Sequence, residues 1–67
     1  MKNRVKTFRE WQGLTQKELG ELVGVSRQAI NAVETGKYDP SVWLAYHLSR
    51  YFGLTIEEMF QFEENGK

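Results

Sequence analysis

The sequence predicts an all-α bundle of five short helices, and three observations lead there. Hydroxyl residues that accept hydrogen bonds at helix starts, Thr15, Ser26, Ser41 and Thr55, each precede a short segment with apolar residues three or four apart. Glycines at 13, 24, 36 and 53 close the first four of the five helices, as residues that adopt left-handed geometry at helix ends do. Strand-like alternation occurs at Phe60, Gln61, Phe62 and Glu63, a run too short to stand alone.

In order, Val5 and Phe8 sit on one face of a first helix spanning about Arg4 to Gln12, and Leu14 folds back onto the core after Gly13. Thr15 with Glu18 three residues on is a capping box, and Leu19, Leu22 and Val23 form the apolar stripe of the second helix. Ser26 caps a third helix with Ile30 and Val33 turned inward. Asp39, Pro40 and Ser41 make a turn and a cap for a fourth helix, Val42 to about Phe52, with Leu44, Ala45, Leu48 and Phe52 as its core stripe. Thr55 and Glu58 form a second capping box, opening a helix around Ile56 to Phe60. The alternating residues after it suit a short strand that pairs with the N-terminal residues or with a second chain.

Length and composition narrow the functional classes. The 67 residues make one domain, 1–67, and a chain of this size buries only about 60% of the surface its unfolded form exposes. No cysteine is present to supply disulfides or a thiolate metal site, so a symmetric partner is the common remaining route to added stability. One histidine, His47, and scattered carboxylates provide no nucleophile, base and orienting group, so neither enzyme chemistry, a metal nor a cofactor is expected. Neither a signal peptide nor a membrane span is visible, which suits a cytoplasmic protein.

Nine basic and nine acidic residues cancel, yet they are unevenly distributed. Residues 1–37 hold seven basic against four acidic, a net +3, whereas residues 38–67 hold two basic against five acidic, a net −3. A basic surface suited to polyanions is therefore compatible with a neutral chain.

The segment from Gln16 to Val33 works as a unit. Two short helices separated only by Gly24 and Val25 must cross steeply, which requires a small residue at the crossing and a turn residue that accepts positive φ. Gly20 and Gly24 stand at those places, with Leu19, Val23, Val25, Ile30 and Val33 as the apolar backing.

TQKELGELVGVSRQAINAVETGKYDPS, with the RVKTFR start, the GLTQ entry and the ETGK exit, resembles the Cro and phage-repressor (XRE-like) helix-turn-helix family of small transcriptional regulators. The resemblance covers about Val5 to Phe52. Gly20 departs from the alanine common there, at a helix-propensity cost of about 1 kcal/mol.

The resemblance implies that the third helix, Ser26 to Glu34, lies in the major groove of double-stranded DNA. Base-facing positions carry over to Arg27, Gln28 and Asn31, with Ala32 available to a thymine methyl; arginine suits guanine, and glutamine or asparagine suits adenine. Phosphate contacts carry over to Gln16, Lys17, Ser26, Thr35 and Lys37, which would position the helix without reading sequence. Arg9 and Glu34 match a structural ion pair between the first helix and the end of the third.

A homodimeric repressor on a pseudo-palindromic operator is the function implied, with residues 54–64 as a dimerising tail. Five apolar tail residues, Leu54, Ile56, Met59, Phe60 and Phe62, are more than such short elements can bury, so they are assigned to the dimer interface. Trp43, Tyr46, His47 and Arg50 share a face of the fourth helix off its core stripe, which leaves partner contact and cover for a small core both open. The alternative function is a protein-interaction module of the same fold, an antitoxin or coactivator-like adaptor.

Overall fold

The computed structural model describes residues 1–62. Five helices follow in order: α1 Val5–Trp11, α2 Gln16–Val23, α3 Arg27–Glu34, α4 Val42–Tyr51 and α5 Ile56–Met59. Each cap residue acts as its chemistry requires. The hydroxyls of Thr15, Ser26, Ser41 and Thr55 accept from the backbone N–H three residues on, at 3.0–3.1 Å. Glu18 and Glu58 complete both capping boxes by accepting from the amides of Thr15 and Thr55 at 2.8 Å. The four glycines after the helices all have positive φ.

Val5, Leu19, Ile30, Val33, Leu44, Ala45, Leu48, Met59 and Phe60 form the buried core, and Phe8, Leu14, Val23, Val25, Phe52, Leu54 and Ile56 pack against it half-buried. Leu22 does not join them: it is 54% exposed, so the inward stripe of α2 narrows to Leu19 with support from Val23. Ser49 is buried but satisfied, its hydroxyl donating to the Ala45 carbonyl at 2.8 Å.

The C-terminal segment corrects two of the assignments. Phe60 forms a single antiparallel bridge with Asn3, within one chain. Arg4 N–H donates to Met59 O at 2.9 Å and Gln61 N–H to Lys2 O at 2.8 Å. Among the described residues no strand forms, because the pairing extends over too few positions. This clamp draws α5 against the bundle and leaves Met59 and Phe60 almost fully buried. Met59 and Phe60 therefore belong to the chain's own core and not to a dimer surface. The remaining three differ: Leu54 and Ile56 are half-buried, and Phe62 is 57% exposed. Glu63 and Glu64, assigned to the tail, and Lys67, counted with them in the charge balance, lie outside the described residues.

Asn3 was not singled out by sequence, yet it anchors the N-terminus twice. Its Oδ1 accepts from Val5 N–H at 3.1 Å, and its Nδ2 donates to the Val33 carbonyl at 2.9 Å. Nearby, the N-terminal ammonium of Met1 pairs with Asp39 at 3.0 Å. The basic N-terminus consequently lies beside the C-terminal segment and the exit of α3.

Candidate nucleic-acid interface

The α2–α3 turn is compact because two glycines allow it. Gly24, at φ 82°, takes the left-handed conformation, and both its N–H and that of Val25 donate to the Gly20 carbonyl at 2.8 and 2.9 Å. Gly20 is buried at the crossing, where a β-carbon would come within 2.5 Å of the Val25 carbonyl oxygen. The crossing therefore calls for glycine itself, closer packing than the small residue that spacing alone demands.

Leaving that turn, α3 starts at its Ser26 cap and is anchored from behind by the fully buried Ile30 and Val33. At about 100° per residue, Arg27, Asn31, Gln28 and Ala32 fall within an arc of about 140°, opposite the two anchors. Arg27, Gln28 and Asn31 are exposed and Ala32 is half-buried, so the expected readers share the outer side of one helix. Lys17, Ser26 and Arg27 line a single shallow depression with Glu21 and Val25. Two of the expected phosphate contacts are thereby brought beside the first expected reader.

Arg9 and Glu34 pair as the sequence suggests. Arg9 Nε donates to Glu34 Oε2 at 2.6 Å, and a terminal guanidinium nitrogen donates to Oε1 at 3.2 Å. The other terminal nitrogen donates to the Leu14 carbonyl at 2.7 Å. The Glu34 side chain is 2% exposed, so the carboxylate has left water and is met there by hydrogen-bond donors. Donation to Glu34 raises the Arg9 pKa above its ordinary value, outweighing the opposing effect of burial, with smaller support from the Glu34 and Glu10 charges.

Gln16 connects this pair to the outer face. Its Nε2 donates to Glu34 Oε1 at 3.0 Å and to Asn31 Oδ1 at 3.1 Å, placing an expected phosphate contact against an expected base reader. Thr35 is turned back on its own helix: its hydroxyl lies 2.9 Å from the Asn31 carbonyl and 3.3 Å from that of Ala32. In this geometry its proton is engaged in finishing α3. Lys37 is exposed just beyond, its backbone N–H held by the Ala32 carbonyl at 3.1 Å.

On α4 the aromatic face stands clear of the core. Trp43 is 72% exposed, stacks on His47 and meets Tyr46 edge-on, while the Arg50 guanidinium lies 5.7 Å from the centre of the Tyr46 ring. Core cover is thus ruled out for Trp43 and His47. Among the described residues no group of three metal-ligating side chains converges, and no helix is long and apolar enough to cross a membrane.

Comparison with known proteins gives this geometry its family. The helix-turn-helix family profile matches residues 5–59. An HTH-type transcriptional regulator of Methanocaldococcus jannaschii is 48% identical over 65 residues, covering 97% of this chain and 98% of that protein. The HTH-type transcriptional regulator YgzD of Bacillus subtilis is 45% identical over 64 residues, covering 96% and 97%. In structure, the restriction-modification controller protein C.AhdI from Aeromonas hydrophila superposes with a TM-score of 0.76 at 28% identity, over 85% of this chain and 86% of that one. With α2 and α3 crossing at Gly20 and an outward polar face on α3, the chain belongs to the Cro/phage-repressor (XRE-like) helix-turn-helix family of small transcriptional regulators.

Proposed function

We propose that the protein binds double-stranded DNA sequence-specifically as a homodimer, with α3 in the major groove, and acts mainly as a repressor by occluding promoter DNA. The observation that carries this reading is the division of α3: Arg27, Gln28 and Asn31 exposed on one side, Ile30 and Val33 fully buried on the other. Such a helix presents donors and acceptors to base edges while its axis is held by the core. Lys17, Ser26 and Lys37 flank it as phosphate contacts, supported for the first two by their shared depression with Arg27.

Dimerisation is supported by the apolar surface the clamp leaves over. Tyr46, Arg50, Leu54, Ile56 and Phe62 border one groove between α4 and α5, and Phe62 is too exposed to be a core residue. Pairing two copies there would place two α3 helices about one DNA turn, roughly 34 Å, apart on a pseudo-palindrome.

Selection of bound duplexes from a random pool, followed by titration at two salt concentrations, tests the proposal. A palindromic motif whose affinity falls steeply with salt supports it. Recovery of no motif would overturn the regulator reading in favour of a protein-interaction module.

A further inference from the structure

The aromatic residues on the outside of α4 continue onto α1 as one band. Along α4, Trp43, His47 and Tyr51 recur every four residues and so stand in a row. Trp43 stacks on His47 with ring centres 6.2 Å apart, and at the far end Tyr51 meets Phe52 edge-on at 5.0 Å. Phe52 carries the band across to α1: its ring centre is 5.9 Å from that of Phe8, which meets Trp11 edge-on at 6.0 Å. Trp11 is 79% exposed, Trp43 72%, Tyr51 40% and Tyr46, beside the band, 39%. At roughly 150–250 Å² per side chain, these four leave on the order of 500 Å² of aromatic surface uncovered, more than half of one side of a standard protein interface.

The charge of this band is one-sided. The Arg50 guanidinium lies 5.7 Å from the centre of the Tyr46 ring, and exposed Arg4 stands on the same face of α1 as Phe8 and Trp11, at i, i+4 and i+7. Lysine, aspartate and glutamate are all absent from α4. Glu10, the acidic residue of α1, turns off this face toward Arg9, 3.9 Å away.

We propose that the band is a docking surface for an acidic segment of a different protein, one that sets carboxylates among apolar side chains. Tryptophan, tyrosine, phenylalanine and arginine without lysine or acidic residues is the composition of a protein-interface centre. The arginines suit paired carboxylates, and rings already packed on one another lose little freedom when covered. A second copy fits poorly, because a two-fold contact would set Arg4 and Arg50 against their own counterparts. Two arginines are also few for a nucleic-acid backbone or an anionic lipid surface, which draw on several cations. None of this depends on the DNA-reading role of α3.

The test uses the full chain without DNA and three probes. The first is a helical peptide with glutamates on one face and leucine and phenylalanine on the other; the second replaces each glutamate by lysine; the third is a vesicle of phosphatidylcholine and phosphatidylglycerol. The acidic peptide should bind at least about tenfold tighter than its lysine counterpart and shift the indole N–H resonances of both Trp11 and Trp43. Trp11→Ser and Trp43→Ser change exposed residues, should keep the wild-type circular dichroism, and should each weaken that binding about tenfold. Arg4→Glu with Arg50→Glu should reverse the preference between the two peptides. Equal binding of the peptides, a preference that survives the charge reversal, or failure of the acidic peptide to move both indoles would overturn the proposal. Vesicle binding in preference to the acidic peptide would overturn it for a lipid surface. Weaker self-association of the two tryptophan variants in sedimentation equilibrium would overturn it for a second copy.

Discussion

A β-carbon on Gly20 would stand 2.5 Å from the carbonyl oxygen of Val25, so the two helices of the turn meet backbone to backbone. Alanine would gain about 1 kcal/mol of helix propensity over glycine in a helix interior. Here the obstacle is a main-chain oxygen that no rotamer can move, and overpacking typically costs about 1–3 kcal/mol. Gly20→Ala is expected to lower stability by about 1 kcal/mol net, measured by urea unfolding. A more stable variant would show that the turn yields without strain.

The Arg9–Glu34 pair can be tested by breaking it and by replacing it. Glu34→Ala leaves a buried guanidinium without its carboxylate, a loss of about 3–5 kcal/mol. For a domain this small that is most of the folding free energy, and DNA affinity should fall with it. Arg9→Met combined with Glu34→Leu removes both charges and should restore much of the fold, visible in circular dichroism. Glu34→Ala with full stability and full affinity would sink the structural role.

That pair also makes a prediction about pH. Pairing raises the folded-state pKa of Arg9, so its contribution is fully present below the ordinary arginine value and is lost only as pH rises through the raised one. The stability difference between wild type and the Arg9→Met, Glu34→Leu variant should therefore be the same at pH 7 and pH 9. A gap that closes by pH 9 would contradict a charge-paired arginine.

Reader and clamp should separate on Arg27 and Lys37. Arg27→Ala is expected to relax preference at one base pair per half-site by about 1–3 kcal/mol, whereas Lys37→Ala should weaken all sequences alike and reduce the salt slope by about one. The opposite pattern would exchange their roles.

Met59 and Phe62 should divide folding from assembly. Met59→Ala empties a fully buried site and is expected to cost about 2–5 kcal/mol of stability. Phe62→Ser should leave monomer stability at low concentration unchanged and weaken self-association by about tenfold, read by sedimentation equilibrium. Equal destabilisation by the two would place Phe62 in the core.

Local punctuation was readable because its chemistry is local. Thr15 with Glu18, and Thr55 with Glu58, carry their partners within one helical turn, and Gly24 carries its conformation in its own lack of a side chain. The outer face of α3 was readable because Ile30 and Val33 fix its opposite. What was not readable depends on encounters between distant residues. Met59 and Phe60 appeared surplus to so small a core because nothing near them in sequence shows Asn3 and Arg4 closing over the segment from the other end. Leu22 appeared buried because it lies at helical spacing from Leu19, whereas burial is decided by which helix α2 meets. The hydrogen bonds of Gln16 to Asn31 and Glu34 likewise join residues two or more helical turns apart in the chain, on different helices, which spacing alone does not show.

The bonds from Arg4 N–H to Met59 O and from Gln61 N–H to Lys2 O fasten together residues more than fifty positions apart. Fraying, which ordinarily starts independently at each end of a domain, is here a single event, since neither segment can lift without releasing the other. The two amides should then exchange with solvent deuterium at matched protection, and a substitution at Asn3 should accelerate exchange at Gln61 as much as at Arg4. The third helix shares in that latch through the Asn3 side chain on the Val33 carbonyl, so loosening the N-terminus loosens the exit of α3 as well.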